Sequence, residues 1–281
     1  LRLSVQTLFL PRESIPYMEE WLLYHSLLGF DRFRLYDNTG SRGDISSPFM
    51  RRYGDAVTKY GLPKISKETT DDELRAAAAK ICAKFDAELI PWPSPHYTNK
   101  AQIDAVVHHS RNDESDYTAF IDMDEYVVVG GNMGIKDFMR TEVEEKGFCG
   151  VRMSQQKMPH ILREKAKRGS RVWELTETFE METRGWAPKS ILPTSGVVGA
   201  ANIHEIGCEG RLLDQPDRSV IKINHYNTNE YQMHWLRANH KSFDSDTPLE
   251  MLFLGQSRDY SLSRFEKEMS SWEYVRWEEI L

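Results

Sequence analysis

Apolar and polar residues recur along this chain in two periods, and its first half reads as strands and helices in turn. Val5 to Leu10 reads as a buried strand. After it, Ser14 is a capping residue, Pro16 suits a first helical turn, and Glu19 and Glu20 favour the positive end of a helix. Tyr17, Trp21, Tyr24 and Leu28 form one apolar stripe at helical spacing, and Gly29 supplies the stop. Phe33 to Tyr36 is a second short strand that ends at Asp37-Asn38-Thr39-Gly40.

Asp71 to Lys84 is rich in Ala, Glu and Lys and reads as a helix, followed by a bend at Pro91-Trp92-Pro93-Ser94-Pro95. A further helix is predicted from Asn99 to Ser110, then a strand over Tyr117 to Ile121 and another over Tyr126 to Val129. This alternation predicts an α/β fold, an open and mostly parallel sheet flanked by helices. From Gly147 the pattern shortens. Val151 to Met153, Val172 to Phe179, Ile203 to Glu205 and Val220 to His225 read as short strands of a smaller mixed sheet in the C-terminal half. The basic segment Arg163 to Gly169 reads as a mobile loop and Glu230 to Lys241 as a helix. No repeat, low-complexity tract or linker divides the chain, so a single domain over residues 1–281 is expected.

Composition narrows the function. The 281 residues are 40% hydrophobic, enough for a substantial core, and the net charge of -7 argues against a nucleic-acid partner, whose footprint is basic. A nucleotide-sized anion needs only a local pocket. Cys82, Cys149 and Cys208 are odd in number and lack a CxxC pair, so they are expected to be reduced and packed as small apolar residues. With no run of eighteen apolar residues and no secretory order in Leu1 to Leu10, no membrane segment is expected in this chain. It reads as soluble, either cytoplasmic or a lumenal catalytic domain whose anchor has been removed.

Asp122, Asp124 and Glu125 follow the apolar strand Tyr117 to Ile121 at once. Such carboxylates repel unless a cation or hydrogen-bond donors sit among them. Side chains two apart on extended backbone point the same way, so Asp122 and Asp124 can converge on one hard cation. As a bare pattern, Asp-x-Asp is more often a turn or a cap. Its position between two apolar strands, at the carboxyl end where open α/β sheets place ligands, favours the metal reading. His225 follows Val220-Ile221-Lys222-Ile223 at a strand end and is either a metal ligand or a core histidine satisfied by backbone.

With these residues in view, the chain resembles the GT-A glycosyltransferases, particularly glycosyltransferase family 92 and family-2-like enzymes. The resemblance is carried by Pro11-Arg12-Glu13 through Tyr17-Met18-Glu19-Glu20-Trp21 to Tyr24-His25, by Leu35-Tyr36-Asp37-Asn38, by Lys100-Ala101-Gln102, and by Phe120-Ile121-Asp122-Met123-Asp124-Glu125-Tyr126. Further on it is carried by Lys189-Ser190-Ile191-Leu192-Pro193, Val197, Ile203-His204 and Asn224-His225-Tyr226. Arg12 departs from the family's usual Asn in the opening segment.

The resemblance implies a GT-A-type, Rossmann-like sheet, a nucleotide-sugar-binding half over 1–130 and an acceptor-binding half over 131–281. It implies a metal-dependent, inverting transfer from a nucleoside diphosphate sugar, a UDP-sugar, to a glycan or glycoprotein acceptor. Phe9, Arg12, Asp37, Lys100, Asp122 and Met123 would bind the nucleotide sugar. Asp37 would accept from a uracil-like ring, with a plain turn as the equal alternative, and Lys100 at a helix start would pair with the diphosphate. Asp122, Asp124 and His225 would hold Mn²⁺ or Mg²⁺, manganese tolerating the imidazole better. Trp186, Lys189 and His204 would line the acceptor site. Glu205 is the first candidate for the catalytic base beside Asp124, with Glu125 and Glu182 as alternatives. A sugar nucleotidyltransferase and a non-catalytic carbohydrate-binding domain are the rival readings; the first would need a Gly-rich basic loop after the first strand, where Leu8 to Ser14 offers only Arg12.

Overall fold

The computed structural model describes residues 1–39, 69–93, 99–161, 169–176, 187–200, 202–227 and 258–275. Trp186, Glu182, most of the basic segment from Arg163, the helix expected at Glu230 to Lys241 and the side chain of Arg12 lie outside what is described.

The chain opens with β1 (Leu3–Phe9), helix α1 (Pro11–Leu28) and β2 (Arg32–Asp37), the expected strand-helix-strand unit. α1 starts earlier than its polar residues suggest. Pro11 takes the first turn, Leu10 is the cap residue without a side-chain cap, and Pro16 falls inside the helix. Proline's fixed φ makes it a natural first residue, so the helix does not need Ser14. Gly29 ends α1 at φ 114°, where its N–H reaches the His25 carbonyl at 3.2 Å. Helix α2 (Asp71–Cys82) begins with a complete capping box between Thr70 and Glu73. β3 (Ala87–Pro91), helix α3 (Asn99–Asn112), β4 (Tyr117–Phe120) and β5 (Glu125–Val129) complete the first half.

The second half contributes β6 (Gly150–Met153), β7 (Gln155–Ile161), β8 (Lys189–Pro193), β9 (Val197–Ala200), β10 (Ile206–Cys208), β11 (Leu212–Asp214) and β12 (Ile221–Asn227). Among the described residues they form a seven-stranded sheet in the order β11-β6-β8-β4-β1-β2-β3, a three-stranded sheet β5-β12-β7 and a pair β10-β9. β3, β2, β1 and β4 run parallel, and β8 enters antiparallel between β4 and β6. This is the expected α/β architecture of GT-A type, a largely parallel sheet flanked by helices with a smaller mixed sheet.

Two strands expected in the second half take other forms. Of the strand expected over Val172 to Phe179, Val172–Glu174 is a single 3-10 turn whose Val172 N–H donates to Glu20, and residues 177–179 lie outside what is described. Ile203 to Glu205 is a turn, because the Asn202 side chain accepts from the His204 N–H at 2.8 Å and its carbonyl accepts from the Glu205 N–H at 3.1 Å. Local side-chain bonding of this kind competes with strand pairing.

Two cysteines also depart from expectation. Cys149, just before β6, and Cys208, at the end of β10, form a disulfide with Cα atoms 6.6 Å apart, whereas Cys82 is free and buried as expected. Fifty-nine residues separate the pair; only the tertiary fold brings them together.

β5 is an edge strand, yet its polar backbone is not left bare. One face of α1 covers it: the Trp21 indole N–H donates to the Glu125 carbonyl at 2.8 Å and the Tyr24 hydroxyl to the Val127 carbonyl at 2.8 Å. The Val127 N–H donates to His25 Nε2 at 3.2 Å. Residues at i, i+3 and i+4 of one helix thus act as a substitute strand. The His25 Nδ1–H donates to the Trp21 carbonyl at 2.8 Å, and burial pushes this ring's pKa down to about 3, so it stays neutral.

Candidate active site

The acidic segment sits where the chain leaves one sheet for another. β4 ends at Phe120 in the seven-stranded sheet, β5 begins at Glu125 in the three-stranded sheet, and Ile121 to Asp124 make the crossing. The crossing lies at the carboxyl ends of the parallel strands, with Phe9 and Asp37 paired at the ends of β1 and β2. Register then decides who meets it. β8 runs antiparallel to β4 with Ser190 opposite Phe120, which brings Lys189 to the end of β4. β12 pairs His225 with Glu125 on one side and with Lys157 on the other.

The result is a buried polar cluster. The Lys189 ammonium, fully enclosed, lies 2.5 Å from Asp122 Oδ2 and 3.3 Å from Glu125 Oε2. Gln102, on the first turn of α3, donates to Asp122 Oδ1 at 3.0 Å. Glu125 accepts from the Asp122 N–H at 2.8 Å and from the Gln155 amide at 2.6 Å. These partners answer the repulsion expected of the clustered carboxylates, with the Lys189 ammonium against Asp122. Desolvation opposes ionisation of Asp122, but Lys189 overcomes it and holds this carboxyl below its ordinary range.

Asp124 has a different environment. Burial first, and the neighbouring Asp122 charge second, push its pKa up to about 7. Its Oδ2 lies 3.3 Å from His225 Nε2. Burial and the nearby Lys157 push His225 down to about 3, so the imidazole is neutral at physiological pH. Two groups meet the other ring nitrogen. The Gln155 amide oxygen lies 3.0 Å from Nδ1 and can only accept, because its nitrogen is given to Glu125; the Lys157 ammonium reaches the same Nδ1 and can only donate. The Gln155 arrangement leaves a lone pair on Nε2, and the Lys157 arrangement puts a proton there facing Asp124.

Asp124 and His225 fit a divalent cation. Neighbouring ligands of an octahedral ion with bonds of about 2.1 Å lie about 3 Å apart, close to the observed 3.3 Å. A carboxylate with one neutral imidazole suits Mn²⁺ or Mg²⁺, the imidazole bonded to Gln155 being the tautomer such an ion requires. Among the described residues no group of three or more His, Cys, Asp or Glu side chains converges as a metal site, and Asp122 faces Lys189 instead.

The remaining expected residues divide into four sets. Phe9 and Met123 are packed in the main core. Asp37 is buried, with its carboxylate accepting from Arg75 Nε at 2.8 Å and from the Thr39 N–H at 2.8 Å. Lys100 is exposed at the start of α3. Across Pro188 from Lys189, a cavity of about 470 Å³ is lined by His204 and Glu205. The His204 Nδ1 is 3.2 Å from the Pro188 carbonyl, and burial, then the Lys189 charge, push this histidine down to about 4. Glu205 is exposed and accepts from the Asn202 amide at 3.1 Å. Sequence reasoning missed Gln102, Gln155 and Lys157 as members of the cluster. Alternating positions on β7 offered a faint signal for the last two, since Gln155 and Lys157 share a strand face.

S. aureus TarS is similar at 13% identity and a TM-score of 0.40, over 97% of this chain and 44% of the other. Residues 1–349 of TarS in complex with UDP-GlcNAc are similar at 11% identity and a TM-score of 0.41, over 97% of this chain and 74% of that one. This chain therefore spans less than half of the longer TarS structure. No curated protein matches it. Among the described residues no helix is long and apolar enough to cross a membrane. The sequence profile of glycosyltransferase family 92 matches residues 1–270, nearly the whole length, and the chain belongs to that family.

Proposed function

We propose that this chain transfers a sugar, with inversion, from a nucleoside diphosphate sugar, a UDP-sugar, to a hydroxyl group of a glycan or glycoprotein acceptor. The observation that carries the proposal is the Asp122–Asp124 crossing at the carboxyl end of the parallel strands, with His225 set against Asp124. Membership of family 92 supports the same reaction class.

The chemistry assigns a task to each group. The acceptor hydroxyl oxygen bonds to the anomeric carbon, the bond from that carbon to the diphosphate oxygen breaks, and its electron pair leaves with the nucleoside diphosphate. The hydroxyl proton passes to Glu205, an exposed carboxylate lining the cavity beside this corner. Lys189 and Gln102 fix Asp122, and Asp122 in turn shapes the charge at Asp124. Asp124 and His225 would hold Mn²⁺ or Mg²⁺, which when bound offsets charge on the departing diphosphate.

The test is release of UDP from UDP-glucose, UDP-galactose, UDP-GlcNAc and UDP-xylose, measured with EDTA and after Mn²⁺ is restored. Release from at least one donor, abolished by EDTA and recovered with Mn²⁺, is expected. UDP binding without release from any donor would point to a carbohydrate-binding domain instead. Release that survives EDTA would remove the metal from the scheme.

A further inference from the structure

Two residues other than glycine have positive φ among the described residues, Ala187 at 48° and Gln215 at 43°. Both line the same cavity of about 470 Å³. An L residue in this region carries a backbone cost, and such strain gathers where a site demands one particular geometry. Neither residue is Asn or Gly, the types that adopt it most readily. The two strained positions come from distant parts of the chain, one before β8 and one after β11, and they converge on one hollow.

The walls of that hollow are tied in other ways. The Gln215 N–H donates to the Arg152 carbonyl at 2.8 Å, and Arg152 also lines the cavity. The Cys149–Cys208 disulfide links the segment that leads to Arg152 with the strand that follows His204 and Glu205. Asn202 sets the turn that carries His204 and Glu205. A volume of this size is within the range of small-ligand clefts, about 300–1,000 Å³.

The lining chemistry defines the ligand. The Gln215 amide, a guanidinium, an imidazole and a carboxylate bring both donors and acceptors to the wall, the Asn202 amide being spent on its own turn, while Ala187 and Pro188 give an apolar patch. Arg152 already pairs with Asp214 at 3.3 Å, and Glu205 is the second carboxylate near it, so no excess of positive charge awaits an anion. We infer that this cavity is a saccharide subsite for uncharged sugar units, with Gln215 and Arg152 as specificity-determining residues on its wall. The inference rests on the proposed glycosyl transfer for its place beside the donor corner, but its binding chemistry stands apart from the donor.

Saturation-transfer NMR with cellobiose, lactose and xylobiose, with UDP and Mn²⁺ present, tests it. The wild-type chain is expected to transfer saturation to the ring protons of at least one disaccharide. Gln215→Gly accepts the backbone conformation but removes the amide, and should weaken binding of that disaccharide at least 5-fold without lowering the midpoint of thermal unfolding. Gln215→Asn, which also tolerates positive φ, retracts the amide by one methylene and should weaken it 2- to 3-fold, so either variant that folds suffices. Transfer to none of the three by the wild type, or unchanged affinity in the folded variants, would overturn the inference. Thermal stabilisation by UDP is read in the same samples: disaccharide binding without UDP binding would sink the donor reading and leave the subsite standing.

Discussion

Replacing Lys189 by Met is the perturbation that the buried cluster makes most informative. The ammonium is fully enclosed and touches both Asp122 at 2.5 Å and Glu125 at 3.3 Å, and the side chain of Glu125 is itself fully buried. Methionine fills similar space but leaves two carboxylates without their cation. Removing one partner of a buried ion pair costs about 3–5 kcal/mol, because an uncompensated charge remains. At about 2–4 °C per kcal/mol for a large domain, the unfolding midpoint should drop by about 6–20 °C.

The loss should also depend on pH with a definite sign. Without the ammonium, the corner carboxyl groups hold protons more tightly in the folded chain than in the unfolded one. Stability is then retained at low pH and lost as pH rises from the ordinary carboxyl range, adding to the rise to about 7 already present at Asp124 and Glu125. The gap between wild type and Lys189→Met, followed by differential scanning fluorimetry from pH 5 to 8, should therefore widen toward pH 8. Asp122→Asn combined with Lys189→Met should cost less than the two single losses summed. A drop under about 2 °C, or a gap unchanged across this range, would refute the reasoning.

Other consequences can be checked directly. Asp124→Ala should lower kcat at least about 100-fold while circular dichroism stays native, since the proposed scheme gives Asp124 and His225 the cation. Glu205→Gln should slow transfer to an acceptor by about 10²–10⁴-fold in a coupled UDP-release assay, the range for loss of a general base. Cys208→Ser should cost up to about 4 kcal/mol in urea unfolding, from the entropy of the 59-residue closure, and the wild type should lose a similar amount on reduction. His25→Leu leaves the Val127 N–H without its acceptor and should cost about 1–3 kcal/mol. The same histidine is neutral when folded and titrates at its ordinary value when unfolded. Its contribution is thus complete above pH 6.5 and lost as pH falls from there toward 3, a loss that the Leu variant should lack in acid denaturation.

The first half of the fold was legible because it is built from long periodic segments. The stripe Tyr17, Trp21, Tyr24 and Leu28 is wholly buried, and Gly29 ends the helix as its position implied. The second half was less legible because its strands β9, β10 and β11 are three or four residues long, too short for a period to register. Ile203 to Glu205 reads as a strand in sequence, but the Asn202 side chain captures its backbone in a turn.

The site was legible in part for a related reason. Asp122 and Asp124 were visible as charges after an apolar strand, and His225 as a strand-end imidazole. Which of them meet depends on register between distant strands. Antiparallel pairing of β8 delivers Lys189 to Asp122, and the β12 pairings deliver His225 to Glu125 and Lys157. No local pattern encodes those distances. The Cys149–Cys208 bond was invisible for the same reason, since neither spacing nor parity of cysteines reports a 59-residue closure.

The division of labour between the two aspartates is the centre of this account, with Asp122 held by Lys189 and Asp124, set against His225, proposed to hold a cation. Mn²⁺ titration followed by electron paramagnetic resonance, with UDP present, measures it on the wild type, Asp124→Asn and His225→Gln. One ion bound by the wild type and affinity at least 10-fold weaker in both variants is the predicted result; Mn²⁺ bound equally by all three chains would contradict it.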